Sequence, residues 1–362
     1  MKLFAALPVL LQLTLSATCL AAKSFSASNL YYAAGLNNQQ QTFLLEGLRS
    51  AGVKVLRVWL DGQSGNEKGT AFEAYNGLQG DGPDAWDDAV LNKLDNFMAR
   101  AHGYGIKLLI SIHSYNALDL KRDFYGRWYG TGDFYTNTDA IRYFKIRIAH
   151  VLAHVNPNNG KTWAQSSEYI FAFEAQNEAM HPQGNPAALA LWQCTMAQSI
   201  KDNLKGNTGI LVTTGGGAYL DNSLLDPYFG CGALDVLAIH AYGVGDLATS
   251  RLMPYVARAR DAGKKLIMQE WGACYTGAPN HDCRGGSPLG AGTRDANIRN
   301  WAASIDAAGI PWFYWQILPN PNPHHEWDYE VGINDVNWQA LRAAGLAAGR
   351  AESQFDFDRW LL

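Results

Sequence analysis

From Asn29 onward, short apolar runs alternate with longer stretches in which apolar residues recur every three or four positions. The pattern repeats eight times. The first run, Leu30 to Gly35, precedes a segment from about Asn38 to Ala51 in which Phe43, Leu44 and Leu48 fall on one helical face. Lys54 to Trp59 (K-V-L-R-V-W) is the second run, and after a Gly- and Asp-rich loop comes a helix carrying Leu91, Leu94, Phe97, Met98 and Ala101. The third, Ile106 to Ile112, ends in His113 and opens into an aromatic loop from Ser114 to Thr136, with a helix from about Thr138 to Val155 behind it. Later runs are Tyr169 to Phe173, Gly209 to Thr213, Leu234 to Ile239, Leu266 to Glu270 and Pro311 to Gln316, and a helix around Trp338 to Ala348 closes the series. Runs this apolar suit strands covered on both faces, and strands alternating with helices predict a parallel sheet. Eight such units predict an α/β fold, a single (β/α)8 TIM barrel spanning residues 23–362.

Polar residues crowd at the C-terminal ends of these strands, where barrel enzymes carry their chemistry. The stretch Y-I-F-A-F-E-A-Q-N-E ends in Glu178, and L-I-M-Q-E-W-G brings Glu270 to the end of the seventh strand. Side-chain alternation puts Glu174, Gln176 and Glu178 on one face of the fourth strand and Asn177 on the other. An ionisable group in a buried strand requires a partner or a function, which singles out Arg57 as well as the two glutamates. His113, His240 and Tyr242 are further polar rings at strand ends. The triplet Gly215 to Gly217 has neither G-x-G-x-x-G spacing nor a following Lys-Ser/Thr, so it reads as close backbone approach rather than a phosphate cradle. There is no G-x-S-x-G turn, and His324-His325-Glu326 lacks the i, i+4 spacing of a metal site, so neither a serine hydrolase, a metal nor an organic cofactor is expected.

Composition narrows this further. With 48% hydrophobic residues, 17% charged residues and a formal net charge of -4, the chain has no electrostatic footprint for nucleic acid or an anionic membrane. Residues 1 to about 22 begin with Lys2, run through an apolar segment and end in small residues, as a secretory signal peptide does. A secreted, extracellular monomer is expected. Export makes the cysteines disulfide candidates: Cys274 and Cys283 bracket one short loop, which leaves Cys194 to pair with Cys231.

Taken in order, Arg57, Asn177-Glu178 with Glu174 four residues earlier, His240-x-Tyr242, Glu270-Trp271-Gly272 and Trp315 resemble the pattern of glycoside hydrolase family 5, in the retaining (β/α)8 clan. The resemblance covers nearly the whole chain after the leader, and N-L-Y-Y, V-L-R-V-W and F-E-A-Q-N-E look most like the β-mannanases. It implies Glu178 as acid/base and Glu270 as nucleophile, with Asn177 on the sugar 2-hydroxyl, Arg57 and Tyr242 orienting Glu270, and Trp315 flooring the site. His113 and His240 join the expected substrate-binding set. Ala179 stands where the family usually has proline, and Ile112-His113-Ser114-Tyr115 looks more like the endoglucanases. The expected activity is therefore hydrolysis of a β-linked polysaccharide, β-1,4-mannan first. A β-1,4-glucan or another β-glucan or β-galactan stands as the alternative substrate, and a binding barrel without catalysis as the alternative class.

Overall fold

The computed structural model describes residues 22–180, 184–243, 245–277 and 283–362. Eight parallel strands close a barrel: β1 (Ser26–Asn29), β2 (Val53–Trp59), β3 (Lys107–Ser111), β4 (Ile170–Glu174), β5 (Leu211–Thr213), β6 (Val236–His240), β7 (Lys265–Trp271) and β8 (Trp312–Tyr314). Each pairs with its neighbour in sequence, and β8 returns to β1 through Trp312, Phe313 and Tyr314 opposite Ser26, Ala27 and Ser28. The outer ring is α1 (Asn38–Ser50), α2 (Ala89–Gly103), α3 (Thr138–Ala153), α4 (Pro186–Leu204), the short α5 (Asp226–Gly230), α6 (Thr249–Asp261), α7 (Ala291–Ala307) and α8 (Trp338–Ala348). This is the (β/α)8 barrel that the periodicity predicts.

Several helices begin where the sequence supplies a side-chain cap. Asn37 accepts from the Gln40 amide while Gln40 reaches back to the Asn37 amide, so α1 starts with a reciprocal capping box. Asn137 and Asn185 cap α3 and α4 without the reciprocal bond, their side chains accepting from amides in the first turn. The faces these helices turn inward are fully buried, as with Leu44 and Leu48 of α1 and Phe97 and Met98 of α2.

Three expectations are corrected. The first strand is Ser26–Asn29, and Leu30 to Gly35 forms a turn and a 3-10 helix instead. S-A-S-N lacks the apolar look of a buried strand, yet all four residues are buried, because small side chains fit the narrow barrel interior. The loop after β3 holds two short helices, Tyr115–Asp119 and Phe124–Asp133, capped by Ser114 and Asp123. Strand β4 stops at Glu174, so its alternation does not extend to Glu178.

Both expected disulfides are present, Cys194–Cys231 joining α4 to the end of α5 and Cys274–Cys283 closing the loop after β7. The leader expected over residues 1–22 lies outside the described residues up to position 21, while Ala22 pairs antiparallel with Ser353. Among the described residues no helix is long and apolar enough to cross a membrane.

Asp306, near the end of α7, accepts from the Trp312 indole at 3.0 Å, and burial pushes its carboxyl up from 3.8 to about 6. A carboxyl raised on folding holds its proton more tightly in the folded state, so its contribution is present at low pH and is lost as pH rises from about 4 to about 6. Asp306→Asn keeps an acceptor for the indole without the ionisation. Its stability advantage over the parent chain should grow by about 1 kcal/mol between pH 5 and pH 7 in denaturant titrations, and an advantage independent of pH would contradict this reading.

Candidate active site

Strand β2 carries Arg57 into the barrel, where it is fully buried. Its Nη2 donates to Glu174 Oε1 at 2.5 Å and to Asn177 Oδ1 at 2.6 Å, its Nη1 to Glu270 Oε1 at 2.6 Å, and its Nε to both Glu174 oxygens at 3.1 Å. Asn29 Oδ1 accepts from Nη1 at 3.2 Å, and the face of Trp59 lies 4.2 Å from Cζ. Burial alone would favour losing the proton, but Glu174 and then Glu270 outweigh it and raise the guanidinium pKa. One fixed cation thus gathers residues from β1, β2, β4, β7 and the turn after β4.

That turn is where Asn177 and Glu178 depart from the strand alternation. Glu174 and Asn177 both reach Arg57, whereas Gln176 turns away to meet His113 Nδ1 at 2.8 Å and the Tyr135 hydroxyl at 2.7 Å. Glu178 has φ +48, in the left-handed region that a residue with a Cβ rarely adopts, and its amide donates to the Gly215 carbonyl at 3.0 Å. Such a conformation persists only where the surroundings impose it, and it clusters at functional sites. The glycine triplet allows it by close approach, as the sequence predicts: a Cβ on Gly215 would overlap the Gln176 carbonyl, and one on Gly216 the His240 ring.

The two glutamates converge. Glu270 is 3% exposed, and its Oε2 accepts from the Tyr242 hydroxyl at 2.8 Å. His240 Nδ1 lies 2.9 Å from Glu178 Oε1 and 3.4 Å from Glu270 Oε2. An oxygen of Glu178 and one of Glu270 are within 4.8 Å of each other. Burial drives the Glu270 carboxyl above the usual carboxylate range, with Glu178 adding to the rise, while His240, Arg57 and the Tyr242 hydroxyl pull it back. His240 is shifted up in turn: burial opposes its charge, but Glu270 and hydrogen-bonded Glu178 favour it. Desolvation first and the neighbouring Glu270 second hold the Tyr242 phenol far up, so it remains a donor. Within this trio Glu178 Oε1 and His240 Nδ1 bond each other at 2.9 Å, while the two Glu270 oxygens accept from Arg57 at 2.6 Å and Tyr242 at 2.8 Å.

Trp315, at the end of β8, is partly exposed, stacks on Tyr31 with ring centroids 5.9 Å apart, and packs with Tyr242 against Tyr329 and the Cys274–Cys283 bridge. The structure does not bring His113 into this cluster. Its ring is fully buried among Tyr125, Phe134 and Phe144 and bonds Asp123 Oδ2 at 2.8 Å as well as Gln176, so it supports the wall rather than facing the mouth. Sequence reasoning missed Asn29 and Gln269. Both are buried amides in strands adjoining the charged cluster, and a buried amide demands partners, a signal that was available for Gln269 beside Glu270.

A barrel with paired carboxylates at its C-terminal mouth defines the class, and comparison with known proteins places the chain within it. The family model described as Cellulase (glycosyl hydrolase family 5) matches residues 20–321. The chain belongs to glycoside hydrolase family 5. Among curated relatives, mannan endo-1,4-beta-mannosidase 5 of Solanum lycopersicum is 28% identical over 246 residues, covering 63% of this chain and 55% of its own length. Mannan endo-1,4-beta-mannosidase A of Podospora anserina is 28% identical over 275 residues, covering 68% of this chain and 69% of its own. The chain therefore spans little more than half of the tomato protein. The crystal structure of the endo-1,4-beta-mannanase from Rhizomucor miehei superposes with a TM-score of 0.69 at 19% identity, over 91% of this chain and 95% of that one, and shares the fold.

Removing Arg57 would leave Glu174 and Glu270 buried without their cation. Arg57→Ala should destabilise the fold by roughly 3–5 kcal/mol in urea titrations. Glu270, which burial already raises and Arg57 pulls back, would then titrate further above its unfolded value, so the loss should be larger at pH 7 than at pH 5, because a raised carboxyl favours the fold only while protonated. A variant as stable as the parent at both pH values would refute the central role of this cation.

Proposed function

We propose that this chain is an exported, retaining endo-β-glycanase whose substrate is β-1,4-mannan. The observation that carries the mechanism is the approach of Glu178 and Glu270 oxygens to within 4.8 Å. Retaining enzymes keep their carboxyl groups about 5–5.5 Å apart, and inverting ones leave roughly 6.5–9.5 Å for a water. The substrate is supported by the curated relatives, whose names are mannan endo-1,4-β-mannosidases. The match of the leader residues to a signal peptide, and two disulfides, support export.

In the first step ionised Glu270 attacks the anomeric carbon as the bond to the leaving oxygen breaks, and Glu178 gives its proton to that oxygen. Arg57 and Tyr242 hold the two Glu270 oxygens, so one is aimed while its charge is balanced. Once the glycosyl-enzyme forms, Glu270 no longer carries charge, and Glu178 takes a proton from water, which attacks the same carbon as its bond to Glu270 breaks, restoring the Glu270 carboxylate and releasing the sugar with retained configuration. Asn177, held on Arg57, presents its amide to the sugar 2-hydroxyl, and Trp315 offers a ring face for stacking. These groups complete the reaction without a redox or group-transfer cofactor.

Release of reducing ends from mannan, glucan and galactan polymers tests the substrate directly. Turnover of mannan above the others supports the reading. Turnover of β-1,4-glucan alone would move the chain to the cellulase activity for which its family model is named, and no turnover of any polymer would leave the non-catalytic barrel. For the roles, Glu270→Gly should regain turnover of an activated aryl glycoside with azide and give the α-configured adduct, while Glu178→Gly with azide should give the β-configured one. Swapped anomers would exchange the two roles.

The pH profile has a fixed sign. Because Glu270 must be ionised and its carboxyl sits above the usual range, the acid limb of kcat/KM should lie above the pH at which a free glutamate titrates. Tyr242→Phe removes a donor that favours the carboxylate, so that limb should move to higher pH, with a loss of about 1–2 kcal/mol in transition-state stabilisation. A shift toward lower pH would contradict the assignment.

A further inference from the structure

Beneath the two glutamates a chain of hydrogen bonds runs from Arg57 to Glu178 through a residue that none of the steps above uses. Glu174, ion-paired with Arg57, accepts from Gln269 Nε2 at 2.7 Å. Gln269 Oε1 lies 2.9 Å from His240 Nε2, and His240 Nδ1 lies 2.9 Å from Glu178 Oε1. Glu174, Gln269 and His240 are all fully buried, so no water competes for these positions. The orientation of the amide follows from its neighbours: a carboxylate paired with Arg57 offers only lone pairs, so Gln269 turns its NH2 there and its oxygen to the histidine. An amide oxygen cannot donate, so His240 Nε2 must carry a hydrogen.

With Nε2 protonated, a single proton remains to be placed in the bond between Nδ1 and Glu178 Oε1. Either neutral His240 accepts from a protonated Glu178, or a charged His240 donates to an ionised Glu178. The alternative neutral tautomer, with its hydrogen on Nδ1 and a bare Nε2, would set two lone pairs against each other at Gln269. We infer that Gln269 is a positioning residue that fixes the tautomer of His240 and thereby keeps the acid proton in the Glu178–His240 bond. The inference rests on the proposed role of Glu178 as acid. Among the described residues, the charged and titratable groups facing this ring are Glu178 from the turn after β4, Glu270 from β7 and Arg57 from β2, with Tyr242 beyond β6 bonding the same Glu270 oxygen that the ring approaches. Gly216 closes its remaining face, where any side chain would displace the ring.

Gln269→Met preserves length and burial but supplies neither the donor nor the amide oxygen. His240 is then free to carry its hydrogen on Nδ1 as a neutral ring and donate it to Glu178, which favours the ionised carboxylate. For substrates with poor leaving groups, the alkaline limb of kcat/KM should move down by about one pH unit, roughly a tenfold loss at a fixed pH on that limb. For an activated aryl glycoside, which needs no proton, kcat/KM should stay within about twofold of the parent chain. A purely structural role predicts equal losses on both substrates with the limbs unmoved, and that result would overturn the inference.

A second measurement works without activity and on the unaltered chain. In protein labelled with nitrogen-15 at histidine, the His240 signals, identified by their loss in His240→Asn, should report a protonated Nε2 throughout the pH range of stability. A bare Nε2 with the hydrogen on Nδ1 would overturn the inference even in a fully active protein. Failure of the parent chain to hydrolyse any β-glycan would instead refute the proposed function, and the ring measurement would still decide the tautomer.

Discussion

The organisation of this molecule depends on burying one guanidinium among carboxylates inside a barrel. Arg57 cannot release its proton at any ordinary pH, so the surrounding residues must supply negative charge and acceptors, and they do so from both sides of the barrel. The two anions it holds differ in exposure to chemistry. Glu174 is sealed below, and Glu270 stands at the mouth within reach of Tyr242 and His240. Arginine suits this task better than lysine because its planar fork serves Glu174, Asn177, Glu270 and Asn29 at once in fixed directions.

Dry surroundings make this arrangement consequential. Removing water from around Glu270 and His240 strengthens each interaction among them, so the same burial that raises the Glu270 carboxyl also makes the pull of Arg57 large. Glu178 sits at the wetter edge, with 17% of its side chain exposed, held by a backbone conformation that the neighbouring glycines permit. The contrast suits the division of labour proposed for the pair, one group fixed and charged, the other exchanging a proton with water.

Further from the charges, aromatic rings and one covalent bridge shape the mouth. Tyr31, Trp59 and Trp315 form a connected set of rings on one side, and Trp59 also shields Arg57. The Cys274–Cys283 bridge packs with Tyr329 against Tyr242 and the same Trp315, so the bridge sits beside the residue that bonds Glu270. The Cys194–Cys231 bridge lies among the outer helices and ties α4 to the end of α5.

What the sequence by itself determined was periodic or chemically costly. Eight apolar runs separated by helical faces specify the barrel, because a strand covered on both sides and a helix covered on one leave different spacings. Arg57, Glu178 and Glu270 stood out because charge in an apolar strand demands a reason. Only the tertiary structure decided the remainder. Small side chains in Ser26–Asn29 carry no hydrophobic signal, so the first strand was legible only through its pairing with β2 and β8. Strand alternation misplaced Asn177 because β4 ends at Glu174 and the following turn is held by contacts to the Gly215 loop, residues far along the chain. His113 and His240 look alike in sequence, each a histidine ending a strand, yet aromatic packing seals one and two carboxylates face the other. Gln269 is conspicuous as a buried amide beside Glu270, but its orientation is not legible in the sequence, since an amide is turned by what lies on each side, here Glu174 from one strand and His240 from another.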